Sequence, residues 1–168
     1  MELRTQRLIL RHFRSADFDA YASMCADPDV MRYLSPSGEL LSRGDAWRQM
    51  AMFAGHWHLR GYGMWAVEEL HTQRFVGRVG LHYPEGWPDR ELGWTLCRQF
   101  WGQGLASEAA RAAAEYAFRK LNWPHVISLI APDNARSIKV AERLGSKPAG
   151  VVSERGVDHF VYRLDSWA

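Results

Sequence analysis

Two glycines, Gly102 and Gly104, stand one residue apart in the stretch FWGQGLASEAA, directly ahead of a run with helical periodicity. The first turn of a helix carries unpaired N–H groups at a positive dipole end, and glycines let the backbone close on a ligand without a Cβ in the way. The turn therefore reads as an anion site, with phosphate as its natural occupant. A nucleotide-hydrolysing loop would need G-x-x-x-x-G-K-[ST], and the only lysines, Lys120, Lys139 and Lys147, lie elsewhere. A dinucleotide fingerprint would need G-x-G-x-x-G, whereas Gly102 opens G-Q-G-L-A-S, and no acid ends the next strand to take a ribose hydroxyl. An NAD-type enzyme is disfavoured on both counts.

Other reactive side chains each have a plain structural reading. Glu91 opens an alternating strand, and Asn134 and Ser137 sit where a helix cap is expected. Cys97 follows that strand, but no placed histidine accompanies it, so it reads as a small buried residue and not as a nucleophile. His56 and His58 are two apart within a helical segment and point to different faces, without a third ligand, so no metal is expected. Most of the eight tryptophans read as core. Trp87, in the loop HYPEGWPD, and Tyr33, between the first two helices, are the candidates to line an acceptor pocket.

The elements that must position these residues alternate along the chain. A short strand at 8–10 is followed by a helix capped by Ser15, with Phe18, Ala22 and Cys25 on one side and an end imposed by Pro28. Ser42 and Asp45 open a second helix, with Trp47, Met50, Ala51 and Ala54 inward and an end near Gly61. Strands at 63–68 and 75–81 form a hairpin across LHTQR, and a fourth strand runs over 91–96 with Leu92, Trp94 and Leu96 on one face. The helix after the glycine turn spans 105–121, with Leu105, Ala109, Ala113, Tyr116 and Ala117 inward and Glu108, Arg111, Glu115 and Arg119 as an outer salt-bridged face. A fifth strand at 126–131, a helix from Asp133 and Asn134 to a Gly145 stop, and a hairpin through 151–152 and 160–164 complete the chain. The fold class expected is α/β (α+β): a mixed, mostly antiparallel sheet of about seven strands with helices on both faces.

Bulk properties agree with an enzyme-sized unit. The 168 residues, 47% apolar and 24% charged, suit a single domain over 1–168 that buries roughly 70% of its unfolded surface. Twenty-one basic and 19 acidic residues are scattered without a like-charge block, so nucleic acid is not an expected partner. Cys25 and Cys97 form no metal or disulfide pattern, and no stretch approaches a signal core or membrane span, which together point to the cytoplasm and no membrane.

Taken together, Gln99-x-x-Gly102-x-Gly104-x-Ala106 resembles the pyrophosphate loop of the GNAT N-acetyltransferase superfamily. TQRLILR, ELGWTL, WGQGLASEA and NARSIKVAERLG, four motifs in that family's order along the chain, resemble its RimJ/RimL branch of ribosomal-protein N-terminal acetyltransferases. Trp101 stands where the wider superfamily often has a basic residue, and Ser146 where members often have an aromatic. The resemblance implies an acetyl-CoA-dependent N-acetyltransferase that moves an acetyl group to a primary amine, a protein N-terminus or a small molecule, by direct attack. It implies a sheet splayed between strands four and five, and pyrophosphate contacts from Gln99, Gly102, Gln103, Gly104, Leu105, Ala106 and Ser107. It further implies Leu96 near the thioester carbonyl, Asn134 on the pantetheine arm, Glu91 as general base and Ser137 as general acid. A homodimer is compatible with the branch, and no sequence feature fixes one. A non-catalytic CoA-binding sensor or docking module is the alternative reading.

Overall fold

The computed structural model describes residues 1–34, 38–154 and 156–167. Eight strands form one sheet in the order β1-β2-β3-β4-β5-β6-β8-β7. These are β1 (Leu3–Arg4), β2 (Leu8–Arg11), β3 (Met64–Glu69), β4 (Phe75–His82), β5 (Glu91–Leu96), β6 (His125–Ile130), β7 (Lys147–Glu154) and β8 (Val157–Asp165). The sheet has one strand more than expected because residues 3–4 pair with β2, a two-residue segment too short to show a period in the sequence. The helices are α1 (Phe18–Cys25), α2 (Pro28–Met31), α3 (Arg43–Arg60), α4 (Leu105–Arg119) and α5 (Ala135–Leu144).

Register assigns the two faces. Trp65 of β3 pairs with Val79 of β4, which pairs with Trp94 of β5, and the Trp65 ring meets Tyr116 of α4 edge-on at 5.3 Å. Ala66, Arg78 and Thr95 form the next cross-strand row and point the other way. There Arg78 lies over the Phe53 ring of α3, so α4 covers one face and α1 with α3 the other. The core concentrates around Leu8, Leu10, Trp65, Val67, Val79, Leu81 and Leu92, all fully enclosed.

Several local expectations change. The first helical segment is held by Asp17 and not by Ser15: the Asp17 carboxylate accepts the Arg14 N–H at 2.7 Å and both Nη atoms of Arg11 at 2.7–2.8 Å. Arg11 also reaches Glu68 on β3 at 2.6 Å, so a buried ionic triad outcompetes the local serine cap. Pro28 does not merely end α1. It opens the one-turn α2 at its first position, where a missing N–H costs nothing, with the Asp27 carboxylate accepting the Asp29 N–H at 2.9 Å. The inner face of α3 is Ala46, Met50, Phe53 and Trp57, while Ala51 and Ala54 are exposed and Trp47 remains 49% exposed. Burying the bulk of Phe53 and Trp57 rotates the helix away from the alanine stripe. Along α4 the expected inner residues are buried, but Glu108 bonds Arg7 and Arg111 bonds the Arg143 carbonyl, leaving Glu115–Arg119 as the i,i+4 pair.

Candidate functional site

β5 and β6 are parallel and pair at a single position, Glu91 with Ile127, whereas β4 and β5 pair along six. The gap expected between the fourth and fifth strands is therefore present as the β5/β6 splay. The Cys97 N–H bonds the Val76 carbonyl across to β4, so the alternate N–H groups of Trp94 and Leu96 face the gap. On this side the Leu92 carbonyl accepts the Ser128 hydroxyl at 2.7 Å and the Leu96 carbonyl accepts the Trp101 indole N–H at 2.8 Å.

A cavity of about 590 Å³ lies on the α4 side of this gap. The glycine turn forms one wall, with Gly102, Gly104, Leu105, Ala106 and Ser107, and α5 forms another, with Asn134, Ser137 and the basic side chains of Arg136, Lys139 and Arg143. Gly102 and Gly104 both have φ of 76°, in the left-handed region that disfavours a side chain. A Cβ at Gly102 would meet nothing within 4 Å, so backbone conformation, not crowding within the chain, is what requires glycine there. The hydroxyl of Ser107 is buried without a hydrogen-bond partner and its residue lines this cavity, whereas the Thr95 hydroxyl, likewise unpartnered, belongs to the opposite face. A phosphate-bearing ligand with further polar atoms fits the Ser107 hydroxyl, the amides of the turn and the three cations of α5. Gln99 and Gln103 are exposed and line neither this cavity nor the next. Gln103 instead donates its side-chain N–H to the Gln99 carbonyl at 3.0 Å, bracing the turn.

A second cavity, about 520 Å³, occupies the α1/α3 side and is lined by Glu91, Trp87, Phe53, Arg78 and His82 among others. Tyr33, Leu34, Trp94, Thr95, Asn134 and Ser137 line both cavities, which therefore meet at the gap. The Glu91 carboxyl is enclosed here, and burial pushes it up to about 7, against the opposing pull of hydrogen bonds from the Trp87 indole and the Leu129 backbone N–H. The Trp87 contact is 2.8 Å, so the loop tryptophan touches the candidate base as well as lining the pocket. Ser137 accepts the Trp94 indole N–H at 3.3 Å, which leaves its own O–H proton to donate. The Asn134 carbonyl oxygen accepts the Ser137 N–H at 3.2 Å as a helix cap, leaving its NH2 group for a ligand.

Cys97 is buried, and burial pushes its thiol up to about 11, so a resting thiolate is disfavoured. No group of three or more potential metal ligands occurs among the described residues. No helix among them is long and apolar enough to cross a membrane.

Sequence reasoning passed over Trp94, Thr95, Arg78 and the basic stripe of α5. The stripe was readable: residues 136, 139 and 143 recur at i, i+3 and i+7 on one helix face. Arg78 carried no local signal, since its neighbour across the sheet is Thr95, seventeen residues further on.

The chain matches the acetyltransferase (GNAT) domain over residues 7–147. It is 34% identical over 99% of its length to the uncharacterised protein YkkB of Bacillus subtilis, covering 96% of that protein. It superposes on an acetyltransferase of Agrobacterium tumefaciens with a TM-score of 0.89 at 32% identity, covering 99% of this chain and 95% of the other. RimL, the ribosomal L7/L12 alpha-N-protein acetyltransferase solved in complex with coenzyme A, gives a TM-score of 0.82 at 18% identity over 99% and 98%, a likeness of fold. With the fold, the splayed strands and the family match in agreement, the chain belongs to the GNAT family and is an N-acetyltransferase.

Proposed function

We propose that this chain moves an acetyl group from acetyl-CoA to a primary amine by direct attack within a ternary complex. The observation that carries this reading is the meeting of two cavities at the β5/β6 gap, one walled by the glycine turn and the other holding Glu91. The amides of residues 102–107 and the α5 cations Arg136, Lys139 and Arg143 suit the phosphates of CoA, the ligand with which the like-folded RimL was solved.

Bound acetyl-CoA supplies an activated thioester carbonyl. The Leu96 N–H, facing the gap, is placed to donate to its oxygen, and the Asn134 NH2 to the pantetheine amide. Glu91 takes a proton from the acceptor ammonium, so that the nitrogen lone pair forms the new C–N bond as the C–S bond breaks. Ser137 gives a proton to the departing sulfur, and the second proton that the nitrogen sheds as the amide forms passes to solvent, from which Ser137 is reprotonated. A base with a carboxyl near 7 holds both forms in quantity at neutral pH, where general-base catalysis is most effective. Tyr33 and Trp87 line the acceptor side.

Thermal unfolding with acetyl-CoA, NAD or ATP tests the ligand assignment. Acetyl-CoA at 100 times its dissociation constant stabilises the fold by about 2.7 kcal/mol, and Gly104→Val loses that response. A shift with NAD or ATP and none with acetyl-CoA overturns the reading.

A further inference from the structure

The second cavity holds a cation that the transfer chemistry does not use. Arg78 projects from the middle of β4 into it, half-buried, with its guanidinium over the Phe53 ring at 4.9 Å. Its Nε is buried and has no hydrogen-bond partner, while the guanidinium is near enough to Tyr21 and Glu91 for its charge to act on both without an ion pair to a carboxylate among the described residues. Arg11, a buried guanidinium on the same face of the sheet, is instead saturated by Asp17 and Glu68. A desolvated guanidinium with an open donor is costly unless an anion visits it.

Register shows where that anion would lie. Arg78 pairs with Thr95, Gly80 with Gly93, and His82 with Glu91, all on the same face. The glycine pair puts no side chain between the two ends of this row, and a Cβ at Gly93 would approach the Met64 methyl and a Glu91 carboxyl oxygen at 3.8–3.9 Å. A floor of backbone, flanked by the Met64 methyl, therefore runs from Arg78 at one end to Glu91 at the other. The Glu91 end is the acidic one, with Glu154 close enough for its charge to act on Glu91, and Arg78, whose charge also reaches Glu91, makes the opposite end positive. The cavity is dipolar, with Phe53, Met52 and Trp87 as apolar walls.

Resting on the acetyltransferase reading, we propose that the acceptor is an amine that also carries a carboxylate, with the ammonium at Glu91 and the carboxylate on the Arg78 guanidinium. Two sources offer this chemistry: a free amino acid, and a polypeptide whose N-terminal residue is aspartate or glutamate. Arg78 is a specificity-determining residue in either case.

The test compares matched acceptors in steady-state acetylation: free glutamate, aspartate and a γ-amino acid against their amides, and peptides beginning with Glu against the same peptides beginning with Gln. The carboxylate form is favoured in kcat/KM by about 10- to 100-fold, chiefly through KM, as expected for a charge-assisted pair. Arg78→Gln brings that ratio to near one and Arg78→Lys restores part of it, while retained stabilisation by acetyl-CoA shows that each variant is folded. Preference confined to free amino acids identifies a small-molecule acceptor, and preference confined to Glu peptides a polypeptide one. Equal turnover of carboxylates and amides overturns the Arg78 assignment and leaves the acetyltransferase reading intact. If acetyl-CoA neither binds nor reacts, the function reading fails by itself. Arg78 is then judged by thermal stabilisation with glutamate alone: a shift in wild type lost in Arg78→Gln retains an anion site, and no shift overturns it.

Discussion

Glu91 has two conflicting duties, and its surroundings show how they are reconciled. A carboxylate opening a strand beside open water would titrate near 4.5 and be a weak base at neutral pH. Enclosure by the cavity pushes this one to about 7, and the Trp87 and Leu129 N–H groups keep the ionised form within reach. Because the folded chain holds this proton more tightly than the unfolded chain does, the site's contribution to stability is full below about pH 4.5 and declines as pH rises through 7. Glu91→Gln keeps the hydrogen-bonding shape without the buried charge. We expect it to lower kcat/KM by about 100- to 10,000-fold and to flatten a pH profile that in wild type rises through about 7. The same variant should unfold later than wild type at pH 8, by up to about 3 kcal/mol, and indistinguishably from it near pH 4. Acetylation rates and denaturant melts at the two pH values check both halves. An unchanged rate would return Glu91 to being a polar strand residue.

At the scale of elements, the glycine turn depends on the N-terminal strands. Glu108, in the first turn of α4, accepts the Thr5 hydroxyl at 2.6 Å, the Arg7 backbone N–H at 2.9 Å and the Arg7 Nε at 2.7 Å. Arg7 in turn donates to the Gln103 carbonyl at 3.0 Å, so the segment before β2 clamps the turn from outside the cavity. Burial alone would raise the Glu108 carboxyl, but the bonds from Thr5 and Arg7 outweigh it and hold it below the usual range. The clamp is thus fully formed above the ordinary glutamate pKa and is lost as pH falls below it. Glu108→Gln should raise the KM for acetyl-CoA several-fold with little change in kcat and destabilise the fold by about 1 kcal/mol, the modest value expected at a partly exposed pair. An unaltered KM would separate the clamp from ligand binding. This linkage was not legible in the sequence, because residues 7 and 108 are joined only by the fold. What could be read was local: the glycine turn, the alternation of β5, the Asn134 cap and the Gly145 stop each lie within a few residues of their cause. The inner face of α3 could not be read from periodicity, since Ala51 and Trp47 offer a competing stripe and only the bulk of Phe53 and Trp57 against the sheet decides. Ser15 misled for the same reason, because the residue that caps there is set by Arg11 on a strand.

The whole molecule constrains the order of events. The glycine turn and Glu91 lie on opposite faces of the sheet, and the only shared lining among the described residues is the cluster of Tyr33, Leu34, Trp94, Thr95, Asn134 and Ser137 around the gap. A donor and an acceptor entering from opposite sides can be bound together, whereas a two-step mechanism would need a nucleophile at the junction to carry the acetyl group. None of the six is a cysteine, lysine or histidine, and the hydroxyls of Ser137, Thr95 and Tyr33 have no base among the six to activate them. Cys97, the nearest thiol in sequence, is buried with its proton held by a pKa of about 11, and its backbone N–H is committed to Val76. Steady-state rates at varied acetyl-CoA and amine should therefore give intersecting double-reciprocal lines, and Cys97→Ala should keep activity within a few-fold while costing some stability as a small core cavity. Incubation with acetyl-CoA alone should leave the protein mass unchanged. Parallel lines together with an acetylated protein would place a covalent carrier at the gap, and the opposed cavities would then have to be filled in turn and not together.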